Sequence, residues 1–147
     1  MIGAVGVILT LVYLARQIRE NTKQSRLSSI QAINASTDSA FEPIYIPENT
    51  RIWTAGLTNP GTLTAEDQHV FDLLMARLIA SFDSTTFQYE HGTVPGEVYE
   101  GYAAFFSSFV ATPGGSSWYL KNRDLFTAGT RNRLDGAVAK VHDHGGA

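Results

Sequence analysis

The chain is predicted to be all-α, an N-terminal membrane-anchor helix that continues into a small bundle of four to six helices. Three observations carry this. Residues 2–15, IGAVGVILTLVYLA, hold no charge, and Arg16, Arg19, Lys23 and Arg26 follow at once against the single acid Glu20. Further along, Val70, Phe71, Leu74, Met75, Leu78, Ile79 and Phe82 recur at the three-to-four spacing of a helix with one buried face. No period-two run of β-branched residues and no fixed repeat is found. The expected division is a hydrophobic anchor over 1–18, a helical stalk over 19–42, a helical domain over 43–141 and a disordered tail over 142–147.

In the first element, Ile2, Val5, Val7, Ile8, Leu9, Leu11, Val12 and Leu14 are the expected anchor residues. At about 1.5 Å per residue a helix needs roughly 20 apolar residues to cross about 30 Å of hydrocarbon. This run is shorter. Arg16 and Arg19 can extend their stems to the headgroups of a thin bilayer, or a few residues of the segment lie upstream of Met1. The competing reading is a buried core helix of a soluble bundle, but that would leave apolar side chains on every face of the segment. A cleaved signal peptide fits poorly, because no basic residue precedes the run and no small-residue cleavage site follows it. Gly3, Gly6 and Thr10 fall near one face and suit close approach of another helix. Arg16, Arg19, Lys23 and Arg26 are the expected headgroup contacts. By the positive-inside tendency they place the body in the cytoplasm, and Tyr13 sits at that boundary.

Beyond the anchor, Ile18, Leu27, Ile30 and Ile33 keep a helical spacing among polar residues, so the first helix is expected to run on as a stalk. The phrase FEPIYIP, with two prolines, predicts a break between Phe41 and Pro47. Pro47 then opens a short helix through Leu57, with Glu48 in its first turn. Asn59-Pro60-Gly61 is a turn. Thr64 with Asp67 resembles a capping box and starts the clearest helix, from about Ala65 to His91, which Gly92 stops. After Val94-Pro95-Gly96 a helix carries Val98, Tyr102, Phe105, Phe106 and Phe109 on one side and ends near Thr112-Pro113. Ser116 to Phe126 is read as a further short helix. Thr127 caps a last one through Val141.

Composition limits the chemistry. With 147 residues, 44% hydrophobic and net charge −3, about 120 residues beyond the anchor suit one small domain with its own core. The absence of cysteine excludes disulfides, thiolate nucleophiles and Cys-ligated metals. Residues 38–100 are strongly acidic and 121–140 basic, a segregation that argues against a nucleic-acid partner, which wants a continuous basic face.

His69 and Asp72, three apart on one helix, are the nearest approach to a metal pair, and the His142-Asp143-His144 tail reads as a frayed terminus. Neither makes a metal site, and no cofactor is expected. Asp83, Glu90, Glu97 and Glu100 are the carboxylates available for acid–base work, with Asp83 beside an apolar stripe, yet nothing in their spacing gathers them around a cleft. No nucleophile elbow, P-loop or dinucleotide fingerprint is present, and Gly114-Gly115-Ser116-Ser117 reads as a loop and N-cap before a helix. No catalytic residue is assigned. Eleven of the sixteen aromatics lie between Phe82 and Phe126. Most are expected in the core, and Tyr102, Phe105, Phe106, Phe109 and Trp118 form a candidate apolar groove for a lipid tail or partner helix.

The phrases LVYLARQIRENTKQSR, IWTAGLTNPGTLTAEDQHVFDLLMARL, FQYEHGTV and ATPGGSSWYLKNRDLF together resemble a widespread group of short bacterial proteins. Its members pair an N-terminal hydrophobic helix ending in an LxYLAxQIRxNT-like phrase with a small helical domain. The resemblance covers most of the chain, and its first phrase is the most specific part. It implies the anchor, the helical fold and a single pass through a bacterial inner membrane, and it implies no activity. Members usually carry more residues before the apolar segment, and Tyr99 stands where a Trp is expected. The expected role is that of an accessory or scaffold protein without catalysis. Its partners would be membrane lipid and a larger membrane complex or further copies of itself. The alternative is a membrane-tethered domain that binds a lipid or small ligand.

Overall fold

A computed structural model describes residues 2–144, with the side chains of residues 5–140. Among the described residues every regular element is helical. The α-helices are α1 (Ile2–Phe41), α2 (Pro47–Thr58), α3 (Ala65–Glu90), α4 (Gly96–Val110), α5 (Pro113–Asn122) and α6 (Ala128–His144). Short 3₁₀ turns over Glu42–Tyr45, Pro60–Thr62 and Arg123–Leu125 join α1 to α2, α2 to α3 and α5 to α6. The tail expected to be disordered divides: α6 reaches His144, and residues 145–147 lie outside the described part.

The local chemistry explains most boundaries. Pro43 sits inside the first 3₁₀ turn and Pro47 opens α2, so the chain passes through Ile46 in an extended conformation, as the two prolines require. Thr64 caps α3 by accepting from the Asp67 amide at 3.1 Å. The other half of the expected capping box is absent, because the Asp67 carboxylate turns away to meet Arg51 at 3.1 Å. At the far end Gly92 adopts φ +75. Its amide donates to the Tyr89 carbonyl and that of Thr93 to Gln88, a Schellman motif that satisfies two terminal carbonyls. Thr112 caps α5 by accepting from the Gly115 amide. The expected helix from Ser116 therefore starts three residues earlier, at Pro113.

Helix α3 is the central post. Phe71, Met75, Leu78, Ile79 and Phe82 are fully buried, and α1, α2, α4, α5 and α6 all pack on it. Helices α1 and α3 run antiparallel: Ser36 Oγ meets Ser81 Oγ at 3.2 Å, and Arg77 donates to the Ser39 carbonyl at 2.8 Å three residues further along. On α4 the buried positions are Tyr99, Ala103, Phe106 and Val110. This is a face rotated from the aromatic stripe that the sequence suggested. The reason is that α4 serves several neighbours at once: Tyr99 and Phe106 stack on Phe82 of α3, while Phe105 and Phe109 turn aside to cover Phe41 at the end of α1.

The expected stalk also divides. Residues 5–28 of α1 are exposed throughout, whereas Ile33 and Ala40 are buried in the bundle and Asn34 accepts from the Tyr102 hydroxyl. The projecting part therefore ends near residue 30, and the rest of α1 is a bundle helix.

Helices α2 and α5 approach at two glycines. A Cβ on Gly114 would lie 1.7 Å from the Gly56 carbonyl oxygen, and one on Gly56 would lie 2.2 Å from the ring of buried Phe71. Backbone cannot withdraw from backbone without moving a helix. Gly114→Ala is therefore expected to destabilise the body by about 3 kcal/mol or more. Gly101→Ala, in open space on exposed α4, is expected to stabilise it by up to about 1 kcal/mol. Urea unfolding followed by the fluorescence of buried Trp53 and Trp118 measures both.

Candidate functional site

The most distinctive surface of the molecule is the N-terminal half of α1. Val5, Val7, Ile8, Leu9, Leu11, Val12, Tyr13 and Leu14 are each 45–66% exposed, on every side of the helix, and none joins the core. Ile2 and Gly3, also expected in the anchor and its packing face, lie outside the described side chains. At Gly6 a Cβ would meet nothing within 4 Å, and the Thr10 hydroxyl donates to the Gly6 carbonyl at 2.9 Å. That face is bare and shallow, so another helix could approach it closely. Past its first turn the helix satisfies its own backbone groups, and apart from Thr10 and Tyr13 its side chains from Val5 to Leu14 are apolar, which suits a non-aqueous environment.

Length limits what this segment does alone. Among the described residues no helix is long and apolar enough to cross a membrane. The charge-free run of residues 2–15 rises about 21 Å, against about 30 Å of hydrocarbon.

The cations follow directly. Arg16, Arg19, Lys23 and Arg26 are spaced by three, four and three residues, which places all four on one side of α1. The ion pairs among the described residues join Arg51 to Asp67, Arg123 to Asp124 and Asp135, Arg131 to Asp124 and Arg133 to Glu100. The four stalk cations make none. Beside them lies a groove of about 420 Å³, lined by Ile18, Arg19, Thr22, Lys23, Arg26, Leu27 and Ile30 of α1 and by Pro95 from the α3–α4 turn. The sequence marked the cations. It did not mark Pro95, which reaches them only because α1 and α3 are antiparallel, so that α1 leaves the body where α3 ends.

The candidate aromatic groove does not come together as one surface. Phe106 and Trp118 are buried, and Phe109 is half-buried against Phe41 and Trp53. Tyr102 and Phe105 line a shallow hollow of about 200 Å³ with Val98 and Gly101.

The four carboxylates singled out by sequence are dispersed. Asp83 accepts from the amide and hydroxyl of Thr127, at 3.0 and 2.7 Å, and so fastens the start of α6 to α3. Glu90 lies against Gly129, Glu100 pairs with Arg133, and Glu97 stands exposed in the first turn of α4. Among the described residues no three His, Asp or Glu side chains gather as a metal would need. Asp72 accepts from Gln68 at 2.8 Å on its own helix rather than converging with His69.

The strongest electrostatic cluster is structural. Asp135 of α6 receives the Arg123 guanidinium at 2.8 and 2.6 Å and the hydroxyl of buried Tyr119 at 2.9 Å. The Arg123 hydrogen bonds, aided by that of Tyr119, hold the Asp135 carboxyl below its ordinary value. Burial, then the hydrogen bond to Asp135, pushes the Tyr119 phenol up.

No family model, no curated protein and no solved structure matches this chain. Its functional reading therefore rests on its own residues.

Because the folded carboxyl of Asp135 titrates lower than in the unfolded chain, its contribution is present above about pH 4 and disappears as the pH falls through the depressed value. Asp135→Asn is thus expected to lower stability at neutral pH, with the gap to wild type closing in acid. Thermal unfolding from pH 7 to pH 2 measures it, and a gap that stays constant would contradict this account.

Proposed function

We propose that this chain is a membrane-anchored helical accessory or scaffold protein, which acts by association and holds its helical body beside a larger membrane complex. The observation that carries this is the bare, charge-free and largely apolar segment at the start of α1, joined without a break to a bundle helix. Seven aliphatic side chains there, Val5 through Leu14, are each about half exposed or more. Removing them from water is worth on the order of 10 kcal/mol. The four cations add about 1 kcal/mol each near an anionic surface. The apolar term therefore decides whether the segment enters a membrane, and the charges decide which way it faces.

On this reading the helix makes a single pass through a bacterial inner membrane, with Arg16 and Arg19 reaching the headgroups and the bilayer thinned around a short segment. The basic flank keeps the body in the cytoplasm. The bare face at Gly6 and Thr10 is where a second transmembrane helix would seat, from a partner complex or another copy. The tethered ligand-binding alternative is less well supported, because the aromatics proposed for its pocket are divided: Phe106 and Trp118 fill the core, and Phe109 packs against it.

The test is a C-terminally tagged full-length chain in membranes of its native host, washed with carbonate and then gently solubilised for affinity capture. Retention in the pellet, release of a Leu9→Arg/Val12→Arg variant, and a stoichiometric membrane complex on the wild-type chain are expected. Carbonate release of the wild type, or purification free of any partner, would refute the proposal.

A further inference from the structure

We infer that the groove at the base of the projecting helix is a binding site for an anionic phospholipid, its phosphate held by Arg19, Lys23 and Arg26. This rests on the membrane-anchored reading above and adds to it a chemistry of lipid and a place on the surface.

The argument begins with sidedness. A basic flank that merely orients an anchor needs cations near the bilayer, but has no need of them on one side of the helix. Here the row of four cations occupies a single face, bordered by Glu20, while Asn21, Gln24, Ser25 and Ser28 take the opposite half of the same turns. The positive charge is therefore concentrated around the axis as well as along it. None of these cations has an ion-pair partner among the described residues, so their charge is open to a ligand.

The second step is the apolar floor. Leu27 and Ile30 share the half of the helix that carries the cations, Ile18 lines the groove from its edge, and Pro95 lines it from the body. A soluble phosphate has no use for such a floor. A phospholipid does, because its glycerol and upper acyl carbons lie beside the phosphate. The long stems of Arg19, Lys23 and Arg26 can cover those carbons while their heads meet the oxygens, with Arg supplying paired donors. The volume of about 420 Å³ suits a headgroup with the start of its chains rather than a whole lipid. Position sets the depth: Arg19 lies four residues, about 6 Å, beyond the charge-free run, at the headgroup layer, and Lys23 and Arg26 extend the row outward from it.

The test is flotation of the purified full-length chain with limiting phosphatidylcholine vesicles, and with vesicles that are one-third phosphatidylglycerol. Wild type is expected to favour the anionic vesicles. Since each cation near such a surface is worth about fivefold, the Arg19→Gln/Lys23→Gln/Arg26→Gln variant is expected to lose about a hundredfold of that preference. It should keep its binding to neutral vesicles, and all three residues are exposed, so unchanged circular dichroism is expected as well. A second variant adds Asn21→Lys, Gln24→Lys and Ser28→Lys to the first, which restores the net charge on the opposite face. It is expected not to regain the preference. Full recovery there, or an unaltered preference in the first variant, would overturn the site. Equal flotation of wild type with both vesicles would overturn the site and leave the anchor standing. Failure of wild type to float with either would overturn both.

Discussion

Everything in the body depends on the broad buried face of α3. A helix of 26 residues that packs against five others buries more than its apolar stripe: Ser81, Thr85 and Thr86 are buried beside Phe82, while a strip through His69, Leu73, Ala76, Ala80, Ser84 and Phe87 faces solvent. Small hydroxyl residues let neighbouring helices come close, and each is satisfied locally. Thr85 donates to the Ser81 carbonyl, Ser81 meets Ser36 of α1, and Thr86 lies 3.4 Å from the Tyr99 hydroxyl. The polar groups thus mark where α1 and α4 dock, while Phe71, Leu78 and Phe82 supply the mass of the core. The other fastenings are peripheral by comparison. Arg51–Asp67, Arg133–Glu100 and Arg123–Asp135 are all partly solvated, and pairs of that kind contribute little each.

Against this post, α1 meets two different demands with one helix. Its C-terminal part must present Ile33 and Ala40 to α3 and Phe41 to the aromatics of α4. Among the described residues, Val5 to Leu14 in its N-terminal part are exposed and join no core. Between residues 7 and 41 there is neither proline nor glycine, so no hinge divides the two parts. A helix of 40 residues is about 60 Å long, and whatever direction the apolar end takes, the bundle must follow. The junction is stiff because it is also a packing interface: Arg77 is hydrogen-bonded to Ser39, and Tyr102 to Asn34, on two different helices.

How much of this could be read from the residues depended on range. Helix α3, the proline break after Phe41, the Thr64 cap and the Gly92 stop are local, and local chemistry predicted them to within a few residues. Non-local features were harder. The face of α4 was misjudged because its aromatics, Tyr102 and Phe105 included, outweigh the small Ala103, yet Ala103 is the residue that lets α4 settle on α3. Gly56, in mid-helix, was a legible hint of close approach, but nothing local names Gly114 as its counterpart. The same holds for the candidate site. The cation row was visible in the sequence, and the groove was not, because Pro95 lies more than sixty residues from Ile30 and is brought there only by the antiparallel pairing of α1 with α3. Phe106 and Trp118 entered a candidate groove on aromatic character alone, which does not separate core from surface.

Charge also has an order along the molecule that bears on how the body would sit beneath a membrane. The acids of α2 and of the start of α3, Glu48, Glu66, Asp67 and Asp72, lie at the end of the bundle away from where α1 departs. The length of α3, about 39 Å, places them several Debye lengths from the junction. Anionic headgroups there would not repel them. Of the acids nearer the junction, Asp83 holds Thr127 and Glu100 pairs with Arg133, while Glu90 is exposed beside Gly129. Glu97 is exposed, but it sits in the first turn of α4, where the helix dipole favours a negative charge. The end of the body nearest the apolar helix thus shows its positive charge on the open face of α1 and holds two of its carboxylates, Asp83 and Glu100, against Thr127 and Arg133. Inverting that arrangement would set free carboxylates against the headgroups and leave the stalk cations with nothing to face. An anionic surface on the α1 side is therefore the one environment that the distribution of charge and the distribution of apolar surface favour together.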